Sequence, residues 1–140
     1  NLIFQQKNRN TAPKKIYFID NALVQSLGFL FSENNGRLLE NLVFLALRRA
    51  HQEIFYHLKK KECDFIIKNG RQITHAIQVS YEMGSDKTRK REIEGLLDAI
   101  QTYNLASGII LTADEEGEEI IDQKKIQVKP VWKWLLENNA

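Results

Sequence analysis

Four polar side chains of this chain have the chemistry to surround a divalent cation. Glu40 lies in GRLLENLVFLALRR, Asp64 lies in KKKECDFIIK, and Gln78 and Ser80 lie in THAIQVSYE. Carboxylate oxygens are the ligands that a hard cation such as Mg²⁺ prefers, whereas an amide oxygen is a weaker, uncharged ligand. Whether these residues meet depends on the helices and strands that carry them.

The surrounding segments predict a helix followed by three strands. Apolar residues at helical spacing predict a helix that runs to about Ala50 and carries Glu40 in its first turns. Strand-like runs follow at three places, from Glu53 to His57, from Cys63 to Lys68, and from Ile73 to Ser80. One helix and one pair of strands therefore carry all the candidate residues.

The Asn69-Gly70 pair predicts a tight antiparallel hairpin between the last two of these strands. Both residue types accept the positive φ of a type I′ turn. Pairing across this turn places Asp64 near the far end of the next strand, where Gln78 and Ser80 lie. Alternation along the strand puts Gln78 and Ser80 on one face.

The remainder of the chain predicts a mixed α/β fold. We expect a helix from Asp86 to about Asn104, a buried strand from Ser107 to Thr112, a strand at about Ile126 to Lys129, and a terminal helix beginning at Pro130. The acidic residues from Asp114 to Glu119 are expected to form a turn. The fold class is thus a mixed central β-sheet flanked by helices.

The beginning of the chain gives weaker patterns. Residues 1–12, NLIFQQKNRNTA, are expected to be a linker or the end of a preceding domain, and residues 13–140 to form one domain. The run from Ile16 to Ile19 predicts a short strand. Asp20 or Asn21 could cap a short helix through Leu27. We expect the chain to be a fragment of a longer protein.

Composition limits the possible partners and compartments. The 20 basic and 18 acidic residues give a net charge of only +2, so any nucleic-acid contact must be local. Cys63 is the single cysteine, which excludes an internal disulfide and makes the cytoplasm the expected compartment. No apolar run approaches the ~20 residues needed to span a bilayer, so no membrane partner is expected.

A cluster of cations at the start of the second helix is the candidate nucleic-acid contact. It consists of Lys87, Arg89, Lys90 and Arg91. Lysines 59 to 61, in the loop before Asp64, are further candidates, because neutralising phosphates supplies most sequence-independent affinity. Glu92 and Glu94 interleave with the helix cations, so an ordinary solvated face is the alternative.

The order of elements and motifs resembles the core of the PD-(D/E)XK nuclease superfamily, the restriction-endonuclease-like fold. From about Pro13 to Leu136, the chain is similar to an uncharacterised C-terminal domain that follows the ATPase module in prokaryotic AAA-type ATPases. The segments that carry this similarity are PKKIYFIDNAL, GRLLENLVFLALRR, ECDFIIK, IQVSYEM, KTRKREIEGL, IILTADEEGEE and VKPVWKWLL.

The resemblance implies a degenerate nuclease site. In active members, the acids at positions matching Glu40 and Asp64 bind Mg²⁺, and an acid and a lysine on the third strand complete the site. Here Gln78 replaces that acid and Ser80 replaces the lysine, so the resemblance implies weak Mg²⁺ binding and little hydrolysis. The implied partners are an ATPase module of the same polypeptide and DNA. No Gly-rich GxxxxGK[ST] loop is present, so this chain is not itself that ATPase.

Structural interpretations of the same residues stay open. Glu40 could pair with Arg37 or with the arginines at 48 and 49 of its helix. Gln78 is more simply predicted to be a satisfied amide of the core, bonded to the backbone near Glu40 or to the edge of the sheet. Asp64 is harder to explain in this way, because strands disfavour aspartate.

Three classes of function follow from these residues. The first is a non-catalytic accessory domain of an ATPase that binds DNA or another partner. The second is a Mg²⁺-dependent DNA endonuclease whose catalytic cation or donor has relocated to Tyr81, Lys68 or Lys87. The third is a protein-interaction or oligomerisation module.

Overall fold

The structure, a computed structural model, describes residues 2–6 and 14–18 as backbone strands and residues 35–50 and 53–138 with their side chains. The expected helix through Leu27 lies outside the described residues. The elements are β1 (Leu2–Gln6), β2 (Lys14–Phe18), α1 (Asn35–Ala50), β3 (Glu53–Leu58), β4 (Glu62–Asn69), β5 (Gln72–Val79), α2 (Asp86–Thr102), β6 (Ser107–Thr112), β7 (Gly117–Ile121), β8 (Lys124–Pro130) and α3 (Val131–Asn138).

Six strands form one mixed sheet in the order β3-β4-β5-β6-β8-β7. Strands β3, β4 and β5 are antiparallel, and β5, β6 and β8 are parallel neighbours. The predicted hairpin between β4 and β5 is present, but the type I′ turn predicted at Asn69-Gly70 is wrong. Asn69 pairs with Gln72, and the turn residues are Gly70, with φ of 63°, and Arg71. Helix α2 is the crossover between the parallel strands β5 and β6, and it begins after Ser85, whose side chain accepts a hydrogen bond from the Thr88 amide.

Helices cover both faces of this sheet, as the mixed α/β prediction requires. One apolar cluster joins α1 to the sheet through Phe44 and Phe65, and a second joins α2 through Leu96 and Ile66. The adjacent residues Phe65 and Ile66 thus point to opposite clusters. Strands buried on both faces carry continuous apolar runs rather than alternating ones, which explains the composition of β4 and β6.

Three local predictions differ from the structure. Residues 117–121, expected within an acidic turn, form the edge strand β7, which pairs with β8 through a tight turn at Asp122 and Gln123. Leu2–Gln6 is a strand paired with β2, which the sequence pattern did not predict. Pro130 ends β8, and α3 begins one residue later. Within the described part of the chain, no helix combines the length and apolarity needed to cross a membrane.

Candidate functional site

Two neighbouring clefts open where α1, α2 and the hairpin of β4 and β5 meet. The larger cleft, of about 620 Å³, is lined by Glu40, Asp64 and Gln78, together with Leu58, Lys60, Lys61, Glu62, Val79, Arg91 and Glu92. The smaller cleft, of about 460 Å³, lies beside Ser80 and shares Glu40 with the larger one. The fold therefore brings Glu40, Asp64 and Gln78 to one cleft and places Ser80 in the next.

The side chain of Gln78, on β5, forms hydrogen bonds with both β4 and α2. Its side chain is 4% exposed, and its Oε1 accepts a hydrogen bond from the Asp64 amide at 2.9 Å. Its Nε2 donates to the carbonyl oxygens of Glu62 at 3.1 Å and Glu92 at 3.3 Å. Buried amides need such partners. The prediction that Gln78 is a satisfied core amide is confirmed, but these partners lie on β4 and α2 and not in the predicted region of Glu40.

Asp64, on β4, is bonded to the end of the neighbouring strand β5. Its Oδ2 accepts a hydrogen bond from the Val79 amide at 2.8 Å. This charge-assisted bond holds the end of β5, and the neighbouring bond from the Asp64 amide to Gln78 runs in the opposite direction. A structural role thus accounts for an aspartate in a strand.

Ser80 is also held by backbone groups. Its Oγ donates to the carbonyl oxygen of Glu82 at 2.9 Å, and its amide donates to the carbonyl oxygen of Leu111 at 2.9 Å. The side chain is buried, so its hydroxyl serves the turn after β5. The Ser80 side chain carries no positive charge, and its hydroxyl is engaged by a neighbouring backbone carbonyl group.

Where the resemblance implies a metal ligand, Gln78 already has protein partners. In residues 35–50 and 53–138, no group of three or more His, Cys, Asp or Glu side chains is arranged to hold a metal ion. The Gln78 oxygen that would face a cation instead faces the Asp64 amide. Metal binding by Glu40 and Asp64 stays a prediction.

The four helix cations divide into one at the site and three away from it. Arg91 lines both clefts and its guanidinium donates to Glu92 Oε1 at 3.0 Å. Lys87, Arg89 and Lys90 line neither cleft. The Arg89 guanidinium instead contacts a carboxylate of β7, and such exposed pairs contribute little stability.

Glu92 belongs to the site, although its sequence context predicts part of a solvated face. It is 9% exposed and lines both clefts beside Glu40. Its position three residues before Gly95 and four before Leu96, both buried, places it on the buried stripe of α2. That spacing is the signal by which the sequence could have revealed it.

A buried network on the far side of the larger cleft had no signal in the sequence. His57, 2% exposed, lies 2.9 Å through Nε2 from Asp98 Oδ2 and 2.9 Å through Nδ1 from the Tyr103 hydroxyl. The same Asp98 oxygen accepts hydrogen bonds from the amides of Lys60 and Lys61, each at 3.1 Å. An ionised carboxylate only accepts, so the hydrogen shared by His57 and Asp98 lies on His57 Nε2.

The network favours the ionised form of Asp98. Burial raises the pKa of this carboxyl, but the hydrogen bonds from His57 and from the Lys61 and Lys60 amides outweigh burial and lower the pKa below 3.8. Burial raises the pKa of Tyr103, which stays protonated and able to donate. Asp98 therefore stabilises the fold fully above its unfolded pKa, and this stabilisation is lost as the pH falls through the lowered folded pKa.

Asp98→Asn is expected to weaken the acid sensitivity of the fold. At neutral pH the substitution should lower the free energy of unfolding by about 1–3 kcal/mol, because the amides of Lys60 and Lys61 and the His57 ring lose a charged acceptor. Urea unfolding from neutral pH down to about pH 3 should show this deficit shrinking as Asp98 of the wild type becomes protonated. Asp114→Asn, at an exposed position, makes the same charge change as a control. Equal pH dependence in D98N and wild type would contradict the assignment.

Comparisons with known proteins place the chain in a family. The model of a family described as "Domain of unknown function (DUF4143)" matches residues 35–134, a stretch that contains all six strands of the sheet and both clefts. The "Uncharacterized protein MJ1544" of Methanocaldococcus jannaschii is 38% identical over 144 residues, covering 95% of this chain and 32% of the relative. This chain thus spans about a third of that relative's length. No solved structure matches. With a family match over most of its length, the chain belongs to the DUF4143 family.

Proposed function

We propose that this chain is a catalytically degenerate, nuclease-like accessory domain that binds the phosphate backbone of DNA. The observation that carries the proposal is the composition of the larger cleft. Lys60, Lys61 and Arg91 line it beside the carboxylates of Glu40, Glu62, Asp64 and Glu92. Gln78, at a position where the nucleases that the chain resembles carry chemistry, is bonded to the backbone of the domain itself.

The loss of cleavage follows from the bonds at two positions. Hydrolysis of a phosphodiester needs a group that activates water and a cation that stabilises the developing charge. Gln78 cannot take up a proton, and Ser80 is neutral and bonded to Glu82. General acid-base groups contribute ~10²–10⁴-fold, so their absence leaves at most trace hydrolysis.

Retained binding follows from where the charges lie. Lys60 and Lys61 are exposed in the larger cleft, and so is the neighbouring Glu62, whereas Glu92 is buried and Glu40 and Asp64 are half-buried. A phosphate backbone can therefore contact the exposed lysines without approaching the three less exposed carboxylates, although it meets the carboxylate of Glu62. Because the net charge is only +2, this local arrangement and not the overall charge supplies the attraction.

The restriction-endonuclease-like fold and the ATPase partner belong to the same proposal. The order of α1, the β3-β4-β5 unit, α2 and β6 supports the fold assignment, as does the meeting of Glu40 and Asp64 at one cleft. The length of the M. jannaschii relative, of which the chain spans 32%, leaves room for a further module. We propose an ATPase module there and a cytoplasmic location.

Binding of fluorescently labelled duplex and single-stranded DNA, followed by anisotropy over a salt series, tests the proposal. We expect binding at low salt that weakens steeply as salt rises, since counterions are released. Arg91→Gln should weaken binding and reduce the salt slope by about 1. Arg89→Gln removes the same charge from a residue outside both clefts and should leave the slope nearly unchanged.

Absence of binding at low salt would contradict the proposal. Equal losses in R91Q and R89Q would show that the cleft is not the contact surface. Circular dichroism of both variants verifies that they are folded.

A second candidate is a residual metal-dependent phosphodiesterase. It is favoured by Arg91 and Glu92, a cation and a carboxylate that line both clefts beside Glu40. Supercoiled, branched and single-stranded DNA incubated with Mg²⁺ or Mn²⁺ separates the two functions. Cleavage that both Asp64→Ala and Glu92→Gln abolish would favour the enzyme, whereas binding without cleavage supports the accessory domain.

A further inference from the structure

A turn of three lysines joins β3 to β4 beside the larger cleft. Lys59, Lys60 and Lys61 are all exposed, and Lys60 and Lys61 line the cleft. Within the turn, the Lys59 amide donates to the carbonyl oxygen of Lys61 at 3.2 Å. Adjacent like charges repel one another, so an anion that bridges them is favoured at this place.

A single carboxylate oxygen holds the backbone of this lysine turn. Asp98 Oδ2 accepts from the amides of both Lys60 and Lys61. Asp98 lies on α2 with its side chain 12% exposed, and His57 fixes the carboxylate from the side of β3. Tyr103 in turn fixes the His57 ring, so the anchor is tied to two elements of the core.

We infer that the lysine turn is the phosphate-contacting element of the domain and that Asp98 is the positioning residue that presents it. This inference rests on the proposed function and deepens it, because it names the contact and what fixes it. The ligand is the phosphodiester backbone of a nucleic acid. With the two amides held by Asp98, the turn loses its freedom when the protein folds and not when DNA binds, which favours affinity.

The lysine turn also has a local competitor for the phosphate. Lys61 Nζ lies 3.3 Å from Glu94 Oε2, and Lys90 Nζ lies 3.9 Å from the other oxygen of Glu94. Both pairs are solvent-exposed and therefore weak. A phosphate oxygen can replace the Glu94 carboxylate at Lys61 and leave Glu94 with Lys90.

A double-mutant cycle on the 140-residue chain tests the inference. Dissociation constants for a short labelled DNA duplex are measured over a salt series for the wild type, Asp98→Asn, the pair Lys60→Gln with Lys61→Gln, and all three substitutions together. The lysine substitutions should lower the salt slope by about 0.9 for each phosphate that is no longer neutralised. Asp98→Asn should weaken binding roughly two- to tenfold, because the turn is no longer fixed.

Non-additivity is the expected signature of positioning. Once both lysines are replaced, Asp98→Asn should weaken binding no further, since it acts only through them. A full additional loss in the triple variant would overturn the positioning role of Asp98. An unchanged salt slope in K60Q/K61Q would overturn the contact itself, whether or not D98N folds, because the lysines are exposed and their replacement leaves the core intact.

A matched control replaces two lysines outside both clefts, Lys125→Gln with Lys133→Gln, which line neither cleft. A loss of affinity in this control as large as in K60Q/K61Q would reduce the contact to general charge and overturn the inference. If the wild type itself binds no DNA at low salt, the proposed function fails and this inference fails with it. Binding that is indifferent to Lys60 and Lys61 overturns the inference alone.

Discussion

Replacement of Gly95 by alanine is expected to destabilise the fold by roughly 3 kcal/mol or more, since overpacking at rigid atoms is among the costliest core changes. A Cβ at this position would overlap the carbonyl oxygen of Glu62 and lie 2.6 Å from Gln78 Nε2. The first of these atoms belongs to the backbone of β4, so α2 must move off the sheet. That movement also stretches the bonds by which Gln78 joins β4 to α2.

Urea unfolding followed by circular dichroism measures this loss. Gly36→Ala is the matched control, because Gly36 lies in the first turn of α1 and a Cβ there meets nothing within 4 Å. The higher helix propensity of alanine should make this variant as stable as the wild type or up to about 1 kcal/mol more stable. Equal stabilities of G95A and the wild type would show that α2 does not pack on β4 this closely.

Gln78→Glu would supply the acid that the resemblance to nucleases implies at this position, and it is expected to damage the protein and not to create a nuclease. Gln78 Nε2 donates to two carbonyl oxygens, and a carboxylate in its place would set negative charge against both. An unpaired buried charge of this kind should cost roughly 3 kcal/mol at neutral pH. The pKa of the new carboxyl must rise in the folded state, because only its protonated form can donate to one of the carbonyls.

The loss of stability in Q78E should depend on pH. A carboxyl with a raised folded pKa binds its proton more tightly in the folded than in the unfolded chain, so the deficit relative to wild type shrinks as the pH falls through the folded pKa. Urea unfolding between about pH 8 and pH 5 checks this, with the deficit largest at the alkaline end. Gln72→Glu, an exposed change on the same strand, should show little deficit at any pH. A pH-independent deficit in Q78E, or a gain of Mg²⁺-dependent cleavage, would contradict the structural assignment of Gln78.

Short sequence patterns were enough to predict the hairpin and the helix that carry the candidate site residues. The Asn69-Gly70 pair predicted the hairpin but not its register. The turn residues are Gly70 and Arg71, and an irregularity between Ile67 and Lys68 then sets Phe65 opposite Ile77, which makes Asp64 and Gln78 neighbours. Both residues share a cleft with Glu40, which lies on the helix that precedes the strands. Strand β7 escaped prediction because its pairing with β8 stabilises it, against the turn-like composition of its residues.

Other parts of the site depend on helix phase and on distant partners. Which of the helix cations reaches the clefts is decided by the stripe that Thr88, Arg91 and Glu92 share, and this stripe follows from the packing of Gly95 on β4. The bonds of His57 to Asp98 and Tyr103 span 41 and 46 residues. No period along the sequence encodes contacts of that range, so the anchor of the lysine turn could be found only in three dimensions.

The position of β7 at the outer edge of the sheet bears on how copies of this protein behave in concentrated solution. Among the described strands, β7 has β8 as its one neighbour. Such an edge is a template on which a second chain can add a strand, and exposed Ile120 would favour the addition. Glu118 and Glu119 precede that isoleucine, and they pair with Lys125 and Arg89 of the same chain. A second chain that added a strand here would have to desolvate these charged side chains, which opposes aggregation at this edge.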